Sequence, residues 1–296
     1  MNTSRFSVYR MILGTVLALA FMVSQVVFAK TSHVALVIGN ADYSSSSAQT
    51  LKNPVRDARG ISEALKTLKF QVLRLENADQ AAMENAFRAF GRKLKADAKT
   101  HDEVVALFYY SGHGAQVNGK NYLLSVNSNT DYDVTDAKQS GVLPLTRLFK
   151  ELNAVENTTN IIILDACRDN PPTQKIANSN TKSAVVKGLE WLDEVETTAD
   201  NASGADSSDP NNTIFAYATG RGKVAEDGYG VNSPYTEHLL NLIGKRGLSA
   251  NELFQQVGKL VKRDTSSKQQ PWQYSSLLKD FYFKPRKTKL RSGGFR

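Results

Sequence analysis

A single cysteine, Cys167, in a chain of 296 residues excludes an internal disulfide. In an oxidising compartment such an odd thiol is buried and inert, pairs with another molecule, or is used chemically. Long apolar runs are scarce as well. The one at the amino terminus, Met11 to Val23, gives way to Ser24 and Gln25 and is short for a membrane-spanning helix. No Walker lysine motif is present, and Gly220, Gly222, Gly228 and Gly230 lack the strand–turn–helix setting of a phosphate loop. Asp131, Asp133 and Asp136 lack the glycine and closing glutamate of an EF-hand and read as a solvated turn, so the sequence predicts no metal site and no cofactor. No internal repeat is visible.

The net charge of +8 is concentrated at the two ends. Arg5 and Arg10 precede the apolar stretch, and six basic residues with no acid occupy 284–296. The remainder, 30–283, carries 29 acidic side chains and as many basic ones. A neutral body predicts no nucleic-acid groove. The tail 284–296 reads as disordered and solvated, with anionic surfaces its one conceivable partner. The amino terminus has the order of a secretory signal: positive residues, an apolar stretch, then Val27-Phe28-Ala29 before Lys30. The expectation is cleavage after Ala29 and a secreted or periplasmic protein, with an uncleaved anchor as the alternative.

Between the ends, apolar runs alternate with helical periodicity. His33 to Asn40 reads as a buried strand, and Asn53-Pro54 starts a helix carrying Val55, Ala58, Ile61, Leu65 and Leu68. A strand follows at 70–75. Asp79 caps a helix with Met83, Ala86, Phe87, Phe90 and Leu94 on one face. Strands are predicted at 104–110, 161–164 and 213–217, and helices at 144–152, 234–244 and 249–264, the last with a Ser249/Glu252 capping box. Phe281 to Phe283 is predicted to close the chain as a short strand. Phe87, Phe90, Tyr109 and Tyr110 are core by spacing, and 170–212 reads as a mobile polar linker, with Gly188 to Leu192 docking back. Strand alternating with helix predicts an α/β sheet with right-handed crossovers.

Two strings carry chemistry. Tyr109-Tyr110-Ser111-Gly112-His113-Gly114 ends one apolar strand, and Ile161-Ile162-Ile163-Leu164-Asp165-Ala166-Cys167-Arg168 ends another. In open α/β sheets the working groups lie beyond the carboxyl ends of the strands. Order in sequence leaves open whether the two strands are adjacent; if they are, the thiol and imidazole there can meet as a cysteine nucleophile with its base. His33, His101 and His238 have no comparable setting and read as structural or surface residues.

On these residues the chain resembles the caspase-like cysteine peptidases, and most of all the bacterial metacaspase and paracaspase-like (orthocaspase) members. The similarity runs from about His33 to Phe283 and includes Ala35 to Asn40, Tyr217-Ala218-Thr219 and the segment 276–283. The resemblance implies a three-layer sandwich, a mostly parallel six-stranded sheet between helices. It also implies peptide hydrolysis, with Cys167 as nucleophile, His113 as general acid/base, and the backbone N–H groups of Gly114 and Cys167 as oxyanion hole. A silent relative that only binds partner proteins is the alternative.

Metacaspases and paracaspases cut after arginine or lysine, using acids in the pocket for the residue before the cut (P1). Asp165 matches that group. Asp57 falls where paracaspases carry a second acid, and Asp227 falls near a third, with Glu226 an equal register. Asp165 has a second reading, orienting its own loop by accepting backbone N–H groups. The implied partners are protein or peptide substrates with Arg or Lys at P1. Some metacaspases are calcium-activated, so the resemblance leaves weak calcium binding open. Lys175, Lys182 and Lys187 in the linker are expected self-cleavage points. Gly220 to Asn232 is read as a substrate-side loop. One departure from the family is Ser125-Val126-Asn127 after Asn121 to Leu124, where many relatives have proline then aspartate. The segment 193–212 is also long for the bacterial group.

Overall fold

Val34 to Ile38 is apolar at every position, which suits a strand covered on both faces. These residues form the middle of β1 (Thr31–Gly39) and are buried. The computed structural model describes residues 29–46, 48–117, 120–129, 140–166, 209–220 and 223–287. β3 (Glu103–Ser111), β7 (Thr158–Asp165) and β8 (Thr213–Tyr217) have the same buried apolar character over Val104 to Tyr110, Ile161 to Leu164 and Ile214 to Tyr217. With β2 (Gln71–Glu76) and β9 (Trp272–Ser275) they make one six-stranded sheet, ordered β2-β1-β3-β7-β8-β9. All pairs are parallel except β8–β9.

Helices cover both faces. α1 (Pro54–Thr67), α4 (Pro234–Leu242) and α5 (Ala250–Asp264) pack on one, through Ala58, Ile61, Leu65, Leu239, Leu253 and Val257. α2 (Gln80–Ala98) and α3 (Thr146–Asn153) pack on the other, through Met83, Phe87, Phe90, Leu94, Leu148 and Phe149. The result is the three-layer α/β architecture the sequence implied. Strand alternation sends Tyr109 into the α1/α4 layer and Tyr110 into the α2/α3 layer. Both caps read from sequence are present: Asp79 accepts from Ala82 N–H at 2.7 Å, and Ser249 with Glu252 forms the capping box.

Three elements differ from the sequence reading. The closing strand is Trp272–Ser275, not Phe281–Phe283; of the latter only Tyr282 makes a bridge, to Ser249. Trp272 and Tyr274 alternate onto Tyr217 and Phe215, with ring centroids 5.8 and 6.0 Å apart, while Phe281 and Phe283 pack into the α1/α4 layer. The helix expected from Pro144 begins at Thr146, because Pro144 pairs with Tyr122 in a small antiparallel sheet. That sheet, β4 (Gly114–Val117), β5 (Lys120–Leu124) and β6 (Val142–Pro144), was not legible in the sequence. Asn53 holds the N-cap position of α1 but makes no side-chain cap. The apolar amino-terminal stretch, Asp131 to Asp136 and linker positions 167–208 lie outside the described residues. Among the described residues no helix is long and apolar enough to cross a membrane.

Candidate active site at the strand ends

β3 and β7 are direct neighbours, with Ser111 opposite Asp165. The adjacency that sequence order alone left open is therefore present. His113 and Cys167 each stand two positions further along their chains. Cys167, with its backbone N–H, lies outside the described residues, which end this strand at Ala166.

His113 is fully buried and held from several sides. Its N–H donates to the Tyr43 hydroxyl at 3.0 Å, and its carbonyl accepts from the Tyr110 hydroxyl at 2.7 Å and from Leu124 N–H at 3.1 Å. The imidazole sits against the Tyr43 ring, centroids 4.5 Å apart, and its Nε2 lies 2.6 Å from the Gln49 carbonyl. A carbonyl only accepts, so Nε2 carries the proton, and in the neutral ring Nδ1 is the basic nitrogen. Burial pushes the Tyr43 hydroxyl well above the usual tyrosine range, and Tyr110 likewise, so both stay neutral. Gly112 is required by space: a Cβ there would stand 2.6 Å from the Tyr110 hydroxyl and 2.8 Å from that of Tyr43.

The departure at Ser125-Val126-Asn127 is accommodated. Val126 N–H donates to Ala78 O at 3.1 Å, and the Ser125 hydroxyl donates to Gly141 O at 2.6 Å. Buried Asn40 ties this segment to β1 by donating to Leu124 O at 3.0 Å. Gly114, proposed from sequence for the oxyanion hole, opens β4 opposite Leu123.

Asp57 and Asp165 come together on the α1/α4 side, both fully buried. Asp57 lies in the first turn of α1 and accepts from the Ser111 hydroxyl, Asn232 Nδ2 and Ser233 N–H, each at 3.0 Å. Asp165 accepts from the Thr236 hydroxyl at 2.7 Å and from the Ser233 hydroxyl. Ser233 thus binds both carboxylates, one through its backbone and one through its side chain. Tyr109 is placed by the pair: burial first, then the charges of Asp57 and Asp165, hold its hydroxyl well above the usual range, and it bonds Thr236 Oγ1 at 2.6 Å. Tyr235 is raised by burial and by Asp165.

The third acid is at a different contact. Asp227 is 1% exposed and accepts from Lys52 N–H at 2.7 Å and Asn53 N–H at 3.3 Å. Its neighbour Glu226 is partly buried and offers its N–H to Gln269 Oε1.

Sequence reasoning missed Gln49, Ser111, Asn232, Ser233 and Thr236. Gln49 acts through a carbonyl that every residue has, so no sequence signal existed. Ser233-Pro234 is a recognisable N-cap and first-turn pair, and Ser233 does cap α4 at Thr236 N–H. The other histidines lie apart from the site. His33 packs on Phe70, His101 bonds Asp97 O, and His238 meets Asp264. Among the described residues no group of three or more His, Cys, Asp or Glu is placed to hold a metal ion. The first tail residues are bonded to the body, with Lys284 O accepting from Gly247 N–H at 2.8 Å.

The sequence model of the caspase domain matches residues 32–282. The human mucosa-associated lymphoid tissue lymphoma translocation protein 1 is 29% identical over 135 residues, 46% of this chain. Its mouse homolog is 29% identical over the same length. The matched stretch spans 15% of the length of each of these relatives.

Proposed function

The chain belongs to the caspase family, and on that premise we propose that it is a cysteine endopeptidase that cuts proteins after arginine or lysine. Cys167 is the nucleophile and His113 the general acid/base. The Cys167 proton passes to His113 Nδ1, and the thiolate attacks the scissile carbonyl carbon. Backbone N–H groups of Gly114 and Cys167 receive the developing oxyanion. His113 returns the proton to the leaving amine, then takes one from the water that hydrolyses the thioester. The observation that carries this reading is the fixed imidazole of His113: Gln49 O sets its tautomer, and the Tyr43 and Tyr110 hydroxyls fix its backbone.

The acidic pair Asp57 and Asp165 supports a basic P1 residue. Two carboxylates already oriented by hydroxyl and N–H donors match the bidentate needs of a guanidinium. Lysine, a point charge, fits the same pair with less geometric gain. Burial is the observation on the side of a silent, partner-binding caspase module: His113, Asp57 and Asp165 have no exposed surface. Cleavage of matched fluorogenic peptides ending in Arg, Lys or Asp, by wild type and Cys167→Ala, separates the readings. Arg and Lys cleavage lost in the variant supports the peptidase. Asp-only cleavage overturns the acidic pocket, and silence throughout favours the binding module.

A further inference from the structure

Asp227 and Asn53 grip each other reciprocally. The Asp227 carboxylate takes the N–H groups of Lys52 and Asn53, while Asn53 Nδ2 donates to the carbonyls of Asp227 at 2.6 Å and Gly228 at 3.4 Å. Asn53 is fully buried, and its side chain is spent on this contact instead of on capping α1. The carboxylate therefore sits at the amino end of α1, where the helix dipole favours a negative charge. Just after Asp227 the backbone turns at Gly228, φ +81°, a conformation that L side chains rarely adopt. A Cβ there would also stand 2.9 Å from Pro234 Cδ. The turn returns the chain to Asn232 and Ser233, both of which donate to Asp57.

From this geometry we infer that Asp227 is a positioning residue, which acts on P1 recognition through the donors of Asp57 and not by touching the P1 side chain. Asp227 clamps the 227–233 loop to the start of α1. The clamp sets Asn232 and Ser233 against Asp57, and Ser233 carries the same constraint to Asp165 through its hydroxyl. Both Asp227 carboxylate oxygens are taken by the backbone of Lys52 and Asn53, apart from the Ser233 contacts that join Asp57 to Asp165. This assignment rests on the proposed Arg/Lys specificity, so its test has one readout that needs no substrate.

The full chain is compared with Asp227→Asn, Asn53→Ala and Asp57→Asn. The readouts are amide hydrogen exchange and cleavage of a peptide pair differing only in arginine or neutral citrulline at P1. Asp227→Asn and Asn53→Ala are expected to speed exchange at the Lys52, Asn53 and Ser233 amides about tenfold or more, with Leu107 in β3 unchanged. Both variants are expected to lower the arginine-to-citrulline ratio by one common factor, because both act through the donors of Asp57, whereas Asp57→Asn lowers it about tenfold or more. A loss of that ratio in Asp227→Asn more than about threefold beyond the loss in Asn53→Ala overturns the assignment, because a direct interaction with the P1 charge is then gone. If wild type cleaves neither peptide, the proposed specificity fails and exchange alone decides the clamp. Faster exchange at Ser233 in Asn53→Ala supports it, and unchanged exchange overturns it.

Discussion

Ser233→Ala removes one hydroxyl and two contacts at once, which makes it the sharpest probe of how the acidic pocket is built. The hydroxyl caps α4 at Thr236 N–H, 3.0 Å away, and donates to the buried carboxylate of Asp165. The backbone N–H to Asp57 survives the substitution but loses a rigid frame. Loss of a serine cap costs about 1 kcal/mol. Loss of a hydrogen bond to a buried charged group costs about 1.5–3 kcal/mol. The expected destabilisation is therefore about 3 kcal/mol. For a domain of this size that corresponds to a fall in Tm of roughly 6–12 °C. Urea titration followed by tryptophan fluorescence measures it directly, with Ser233→Thr as the control that keeps a hydroxyl and should recover most of the loss. A Ser233→Ala variant within about 0.5 kcal/mol of wild type would refute the view that Asp165 is held by this residue.

Three further outcomes are expected. Asp97 is pulled upward by burial, but hydrogen bonds from Lys93 and Ser32 and the Lys93 charge outweigh this and hold it below its ordinary 3.8. A depressed carboxylate stabilises the fold above its unfolded pKa and ceases to as pH falls through its folded one, so Asp97→Asn should weaken the protein at pH 7. The gap between the two denaturation midpoints should then close below pH ~3.8, and a gap that is constant with pH would sink the argument. Gly112→Ala should push the Tyr43 and Tyr110 hydroxyls off the backbone of His113 and lower any peptidase activity by about 10²-fold, with KM changed less than kcat; unaltered kcat would show that this packing is dispensable. Self-processing is expected at Lys175, Lys182 or Lys187, and it should be absent in Cys167→Ala when both proteins are run on a denaturing gel under active conditions.

The sequence alone determined the architecture, because its signals are local. Apolar runs such as Val34 to Ile38 and Ile161 to Leu164 have to be covered on both faces, and the periodic residues of α1 and α2 supply one cover each. The motifs around His113 and Cys167 fell at strand ends by the same local logic, and they pointed to the caspase family before any contact was visible. Short elements were less legible. β6 has three residues, and Phe281 to Phe283 reads as a strand until Trp272 and Tyr274 are seen to take the edge beside β8.

The tertiary structure decided what depends on residues far apart in the chain. Gln49 O and His113 Nε2 are separated by 64 positions, and a carbonyl leaves no mark in a sequence. Asp57 and Asp165 are joined by Ser233, which lies 176 and 68 positions from them. The three acids looked equivalent as letters. Their donors made them different, since Ser233 bonds both Asp57 and Asp165 while Asp227 receives the backbone of Lys52 and Asn53. A carboxylate's role follows from which donors fold around it, and only the folded chain assigns those.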